Sequence, residues 1–133
     1  MIPAFLDNGY LPAGVHPATL DEIDARFGLT TEIRRVQMES VRWMVELARR
    51  AGVSRIVLNG SFVTNIMEPN DVDCVLLIAQ GFPRDRKAAE ELREGLPFLQ
   101  IQLVRQKAFN GLVDEFYATD RFQSPKGLVE VLP

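Results

Sequence analysis

The chain has 133 residues, of which 47% are hydrophobic and 25% charged, with a net charge of -3. That length and balance suit a single compact domain over residues 1–133 with a core of its own, and the acidic excess argues against general binding to a nucleic-acid backbone. A lone cysteine, Cys74, excludes an internal disulfide and leaves a zinc site without thiolate partners.

In sequence order, residues 1–17 are rich in Pro and Gly and read as an irregular arm. The opening residues carry neither a basic stretch nor a long apolar run, so no signal peptide or membrane span is expected and a cytoplasmic location is the default. Thr19-Leu20-Asp21-Glu22 is a capping-box pattern, and Leu20, Ile23 and Phe27 follow at helical spacing before Gly28 stops the helix. Over residues 32–51, Ile33, Val36, Val41, Met44, Val45, Leu47 and Ala48 form an apolar stripe on a long helix that ends in Arg49-Arg50 before Gly52. The pairs Arg34-Arg35 and Arg49-Arg50 read as solvated helix face, and Trp43 as core or interface.

A β-branched and aliphatic run over residues 54–59 predicts a strand that delivers Gly60-Ser61, and residues 62–67 supply a helical turn. After Pro69-Asn70 breaks that turn, residues 71–78 read as a second, largely buried strand. A charged helix over residues 84–94, a strand over 98–104, a helix with Phe109, Leu112, Val113 and Phe116 on one face, and a last strand over 127–132 complete the order. The pattern predicts an α/β (α+β) domain: a small mixed sheet flanked by helices, with two helices at the N-terminal side.

The chemistry-bearing unit is Gly60-Ser61 followed by Asp71-Val72-Asp73. Side chains alternate along a strand, so Asp71 and Asp73 share one face and Cys74 takes the other, where it packs. Two adjacent carboxylates repel and are costly to bury unpartnered, a penalty that a divalent cation removes. Magnesium, or manganese, suits two carboxylates plus substrate phosphates. Gly60 lets a phosphate approach the backbone, and Ser61 adds a hydroxyl.

Leu58-Asn59-Gly60-Ser61 with Asp71-Val72-Asp73 resembles the signature of the DNA polymerase beta-type nucleotidyltransferase superfamily. The stretches Leu11-Pro12-Ala13-Gly14-Val15-His16, Ala18-Thr19-Leu20, Arg26-Phe27-Gly28, Gly60-Ser61-Phe62-Val63-Thr64 and Pro125-Lys126-Gly127 are similar to small bacterial nucleotidyltransferase-like proteins of the minimal, antitoxin-like kind. The resemblance implies Asp71 and Asp73 as metal-binding catalytic residues, and Gly60, Ser61, Thr64 and Lys126 as phosphate contacts. It also implies a nucleoside triphosphate as substrate and a protein partner such as a cognate toxin.

A third acid, which the resemblance also implies, is absent from the strand over 98–104, where Gln100 and Gln102 share a face. Glutamine carries no charge to hold a second metal and takes no proton near neutral pH. Asp114 or Glu115 replaces the missing acid only if their helix folds over the metal face. Two functions follow as expectations. One is magnesium-dependent transfer of a nucleoside monophosphate to a hydroxyl of a protein, RNA or small molecule; the other is a catalytically degenerate module that binds nucleotide or protein. His16 reads as a capping or packing residue, and Asp120-Arg121 with Lys126 as a local salt bridge and turn.

Overall fold

The computed structural model describes all of residues 1–133. Strand β1 (Gly14–Ala18) is followed by helices α1 (Leu20–Phe27) and α2 (Glu32–Ala51), strand β2 (Arg55–Asn59), and a 3-10 turn (Gly60–Val63). Then come β3 (Val72–Leu77), α3 (Arg86–Glu94), β4 (Leu99–Val104), α4 (Gln106–Gly111), a π-turn (Leu112–Phe116) and β5 (Gly127–Val131). The sheet order is β1-β5-β2-β3-β4, with the outer pairs β1·β5 and β3·β4 parallel and the inner pairs antiparallel. The mixed α/β architecture is the one expected. No helix is long and apolar enough to cross a membrane.

Local chemistry sets the helix ends. The Thr19 hydroxyl accepts from the Glu22 amide at 3.1 Å while the Glu22 carboxylate accepts from the Thr19 amide at 2.9 Å, a complete capping box. Helix α2 starts at Thr31, whose hydroxyl accepts from the Arg34 amide, and stops at Gly52 with φ +89°. The arm is less irregular than its composition implies, because residues 14–18 pair in parallel with β5. Pro17 is tolerated there because β1 is an edge strand. Long-range pairing thus overrides a weak local strand signal.

Strand alternation divides the core. Ile56, Leu58, Cys74, Leu76 and Val129 face α1, α2 and α3 in one cluster of 25 buried residues, and Ile101 is partly buried at its margin. On the opposite face Val57, Val75, Leu77 and Leu128 meet Phe109 and Val113 in a cluster of six. Cys74 is fully buried away from Asp73, as expected, and its thiol pKa is pushed up chiefly by burial. Trp43, by contrast, is half exposed and stands outside the core.

Arg34 corrects the reading of the Arg34-Arg35 pair as solvent-facing, for it is only 2% exposed. Its Nη1 donates to the carbonyls of Phe27 at 3.0 Å and Phe62 at 2.8 Å, Nη2 to Thr64 at 2.9 Å and to Ile66, and Nε to Ile66 at 3.1 Å. The stripe on α2 actually runs through Arg34, Gln37, Met38, Val41, Met44, Val45 and Ala48, while Val36 lies outside it. A guanidinium offers five N–H donors in a planar fork, so one side chain satisfies carbonyls from the end of α1, the 3-10 turn and the loop after it. Arg35 instead donates to the Leu29 carbonyl at the surface.

Replacing Arg34 with Met fills the space but orphans those carbonyls. The expected loss is about 3–5 kcal/mol of unfolding free energy in urea titration, with Arg34→Lys in between because an ammonium has fewer donors.

Candidate functional site

Strand β2 ends in Asn59, and Gly60 turns the backbone with φ +79° into the 3-10 turn. A side chain on Gly60 is excluded twice, by that backbone angle and because an added Cβ would run into Oδ2 of Asp73. The carboxylate of Asp73 therefore lies directly against the Gly60 backbone. Asn59 is in register with Asp73 across β2·β3, fully buried, and its Nδ2 donates to the carbonyls of Val57 at 3.1 Å and Asp73 at 3.3 Å.

Asp73 is half-buried, and its pKa is raised above the ordinary carboxylate range, first by desolvation and then by the charge of Asp71, with Lys126 pulling the other way. Asp71, at the entrance to β3, is also half-buried. Two like charges thus meet at the start of one strand, while no group of three or more His, Cys, Asp or Glu side chains is arranged to hold a metal. Asp73 lines open space while Asp71 does not, and a carboxylate there with a second acid close by in sequence is of the chemistry that suits a hard cation taking its remaining oxygens from phosphate and water.

Gly60 and Asp73 form part of the lining of a cleft of about 760 Å³. The rest comes from Gly111 at the end of α4, Glu115, Phe116 and Tyr117 at the π-turn, and Thr119, Asp120, Arg121, Gln123 and Lys126 from the loop before β5. The Lys126 ammonium stands 5.6 Å from the centre of the Tyr10 ring, and the Tyr10 hydroxyl donates to Asp120 at 2.9 Å. Asp120 is a turn residue, as expected, but it makes no salt bridge with Arg121. Its Oδ1 accepts from the amides of Phe122 at 2.8 Å and Ser124 at 2.9 Å, which, with Tyr10, holds its pKa low.

The structure separates the remaining sequence-derived residues. Ser61 is half-buried beside Gly60, and its carbonyl accepts from the Thr64 hydroxyl at 2.7 Å. Thr64 is buried, and its hydroxyl oxygen also receives the Ile66 amide, which helps close the turn. Gln100 is exposed and in register with Asp73 on the parallel neighbour β4. Gln102, two pairs further on and opposite Val75, donates to the Tyr117 hydroxyl at 3.2 Å. Glu115 does line the cleft, whereas Asp114 lines a separate small pocket with Val15 and Leu128. His16 packs locally: its Nε2 lies 2.6 Å from the Pro12 carbonyl, which can only accept, so Nε2 carries the proton.

A model of a family of unknown function, DUF6932, matches residues 3–132. The protein belongs to that family. No curated protein and no solved structure gives a significant match. The match runs from the arm to the end of β5, so it takes in every wall of the cleft.

Sequence reasoning missed Phe116, Tyr117, Arg121 and Gln123 as parts of this site. The one signal available was turn chemistry, an Asp four residues before Ser124-Pro125, which marks a structured loop without saying what it faces.

Two outcomes follow from the crowding at Asp73. Gly60→Ala should cost about 1–3 kcal/mol in chemical denaturation, since both the backbone angle and the carboxylate must move. Because the folded pKa of Asp73 is raised, its ionisation lowers stability as pH climbs through that folded value. Asp73→Asn should therefore gain stability relative to the parent at pH 7, with the gain shrinking below the ordinary Asp range, as read from melting temperatures across pH.

Proposed function

We propose that the protein is a nucleotidyltransferase-like protein whose cleft takes a nucleoside triphosphate with magnesium, or manganese, and passes the nucleoside monophosphate to an acceptor hydroxyl. The observation that carries this reading is the Asp73 carboxylate pressed against the Gly60 turn, desolvated, and repelled by Asp71. A cation between those carboxylates would relieve both penalties.

Asp71 and Asp73 would hold the metal, which when bound supplies charge neutralisation for the triphosphate and the departing pyrophosphate. Gly60 and Ser61 would let phosphate oxygens approach the backbone, and Lys126 brings a positive charge to the same cleft. The acceptor oxygen would form a bond to the α-phosphorus while the bond to the β-phosphate oxygen breaks. Its proton would pass to Glu115, the cleft carboxylate outside the metal pair that is free of the turn bonds occupying Asp120. A protein partner, such as the toxin of an antitoxin-like pair, is one acceptor of the right chemistry, with RNA and small molecules the others.

The register of Gln100 with Asp73 favours a second reading, a degenerate module that binds nucleotide or protein without turnover. An uncharged amide there gives no third ligand charge and no base.

With labelled nucleoside triphosphates, magnesium and a co-purified partner, the first reading expects label transfer that falls by at least about a hundredfold in Asp73→Asn, as loss of a metal-binding carboxylate should. Transfer that survives this substitution removes the proposed role. Calorimetric binding of magnesium-ATP without any transfer selects the second reading.

A further inference from the structure

We propose that the cleft wall built from the π-turn and the loop before β5 is a nucleobase platform, on which Phe116 stacks against the base and the Gln123 amide selects adenine. This rests on the nucleotide-binding reading and extends it from the phosphates to the base.

Phe116 is 68% exposed although it borders a cleft, and Tyr117 packs against it edge-to-face at 4.9 Å and 90°, which fixes the ring. The backbone beneath it is unusual. The Tyr117 amide donates to the Leu112 carbonyl five residues back at 2.8 Å, and the wider turn brings Glu115, Phe116 and Tyr117 to the same cleft. Such π-turns are rare and concentrate at functional sites.

Gln123 lines the same cleft with φ +65°, a backbone region that side-chain-bearing residues seldom occupy. Asp120 holds it there: the Gln123 amide donates to the Asp120 carbonyl at 3.0 Å, and the flanking amides of Phe122 and Ser124 donate to its carboxylate. A side-chain amide presents a donor beside an acceptor, which complements the amino group and N7 of adenine, whereas guanine presents two acceptors on that edge. Arg121 would suit guanine, but its guanidinium lies 5.2 Å from the centre of the Phe122 ring. Exposed aromatic faces beside cations are the usual means of holding a base.

The test is calorimetry with the intact protein, magnesium, and each of ATP, GTP, CTP, UTP and inorganic tripolyphosphate. ATP should bind tightest, and Phe116→Ala should weaken it by about tenfold, the scale of one lost stacking contact, while leaving tripolyphosphate unaffected. Phe116→Tyr should keep the affinity. Gln123→Gly, which suits the backbone angle and so spares the fold, should abolish the preference for ATP over GTP. Equal binding of the four nucleotides, or no effect of Phe116→Ala, overturns the platform while tripolyphosphate binding keeps the phosphate reading. A preference for GTP overturns the assignment of Gln123, and no binding of any of the five sinks both readings.

Discussion

The fold around the cleft depends on one buried cation without a counter-ion. Arg34 gives its N–H groups to main-chain carbonyls of Phe27, Phe62, Thr64 and Ile66, joining the end of α1, the 3-10 turn and the loop that leads to β3. Such turn carbonyls have no ladder partner, and burying them unpaired would be costly. The guanidinium also lies 5.4 Å from the centre of the Phe62 ring, so its apolar face is used as well. Burial lowers its pKa, yet an arginine stays charged through the range in which proteins function. The turn that begins at Gly60 is therefore held from below by a side chain on α2, and the place of the Asp73 carboxylate follows from the place of that turn.

The cleft is assembled from parts far apart in the sequence. Its floor is the end of β2 and the start of β3, where Gly60 and Asp73 touch, and its walls come from residues 111–126. Lys126 counters Asp73 electrostatically across that separation, and Tyr10 ties the arm to the same loop through Asp120. The burial that raises the Asp73 pKa and the repulsion from Asp71 are properties of an assembled site, and burial has no counterpart in an extended polypeptide.

Much of the architecture was legible because its signals are local. Periodicity and caps give α1 and α2 to within a residue, and the β-branched runs give β2 and β3. Gly60 and Asp73 were legible as a pair because a strand, a turn and a second strand leave few ways to fold back. What was not legible depended on long-range contacts. Residues 14–18 become a strand only by pairing with β5, and the hydrogen bond from the Thr64 hydroxyl to the Ser61 carbonyl has no sequence signal of its own. Arg34 is the instructive miss: helical spacing counted back from Val45 and Val41 lands on it, but its charge points to solvent. Phe116 closes the apolar face begun by Phe109 yet stands exposed at the cleft, and residues 117–123 carry no periodic pattern, so the position of both rests on tertiary placement.

The two faces of the sheet are covered unequally, by a cluster of 25 buried residues beneath α1, α2 and α3 and by only six beneath α4 and the π-turn. Sub-global opening begins where the least apolar surface must be uncovered. The thinly covered side is thus the part of the molecule that can detach while the α2 side remains intact, and amide protons of residues 106–117 would exchange with solvent well before those of α2.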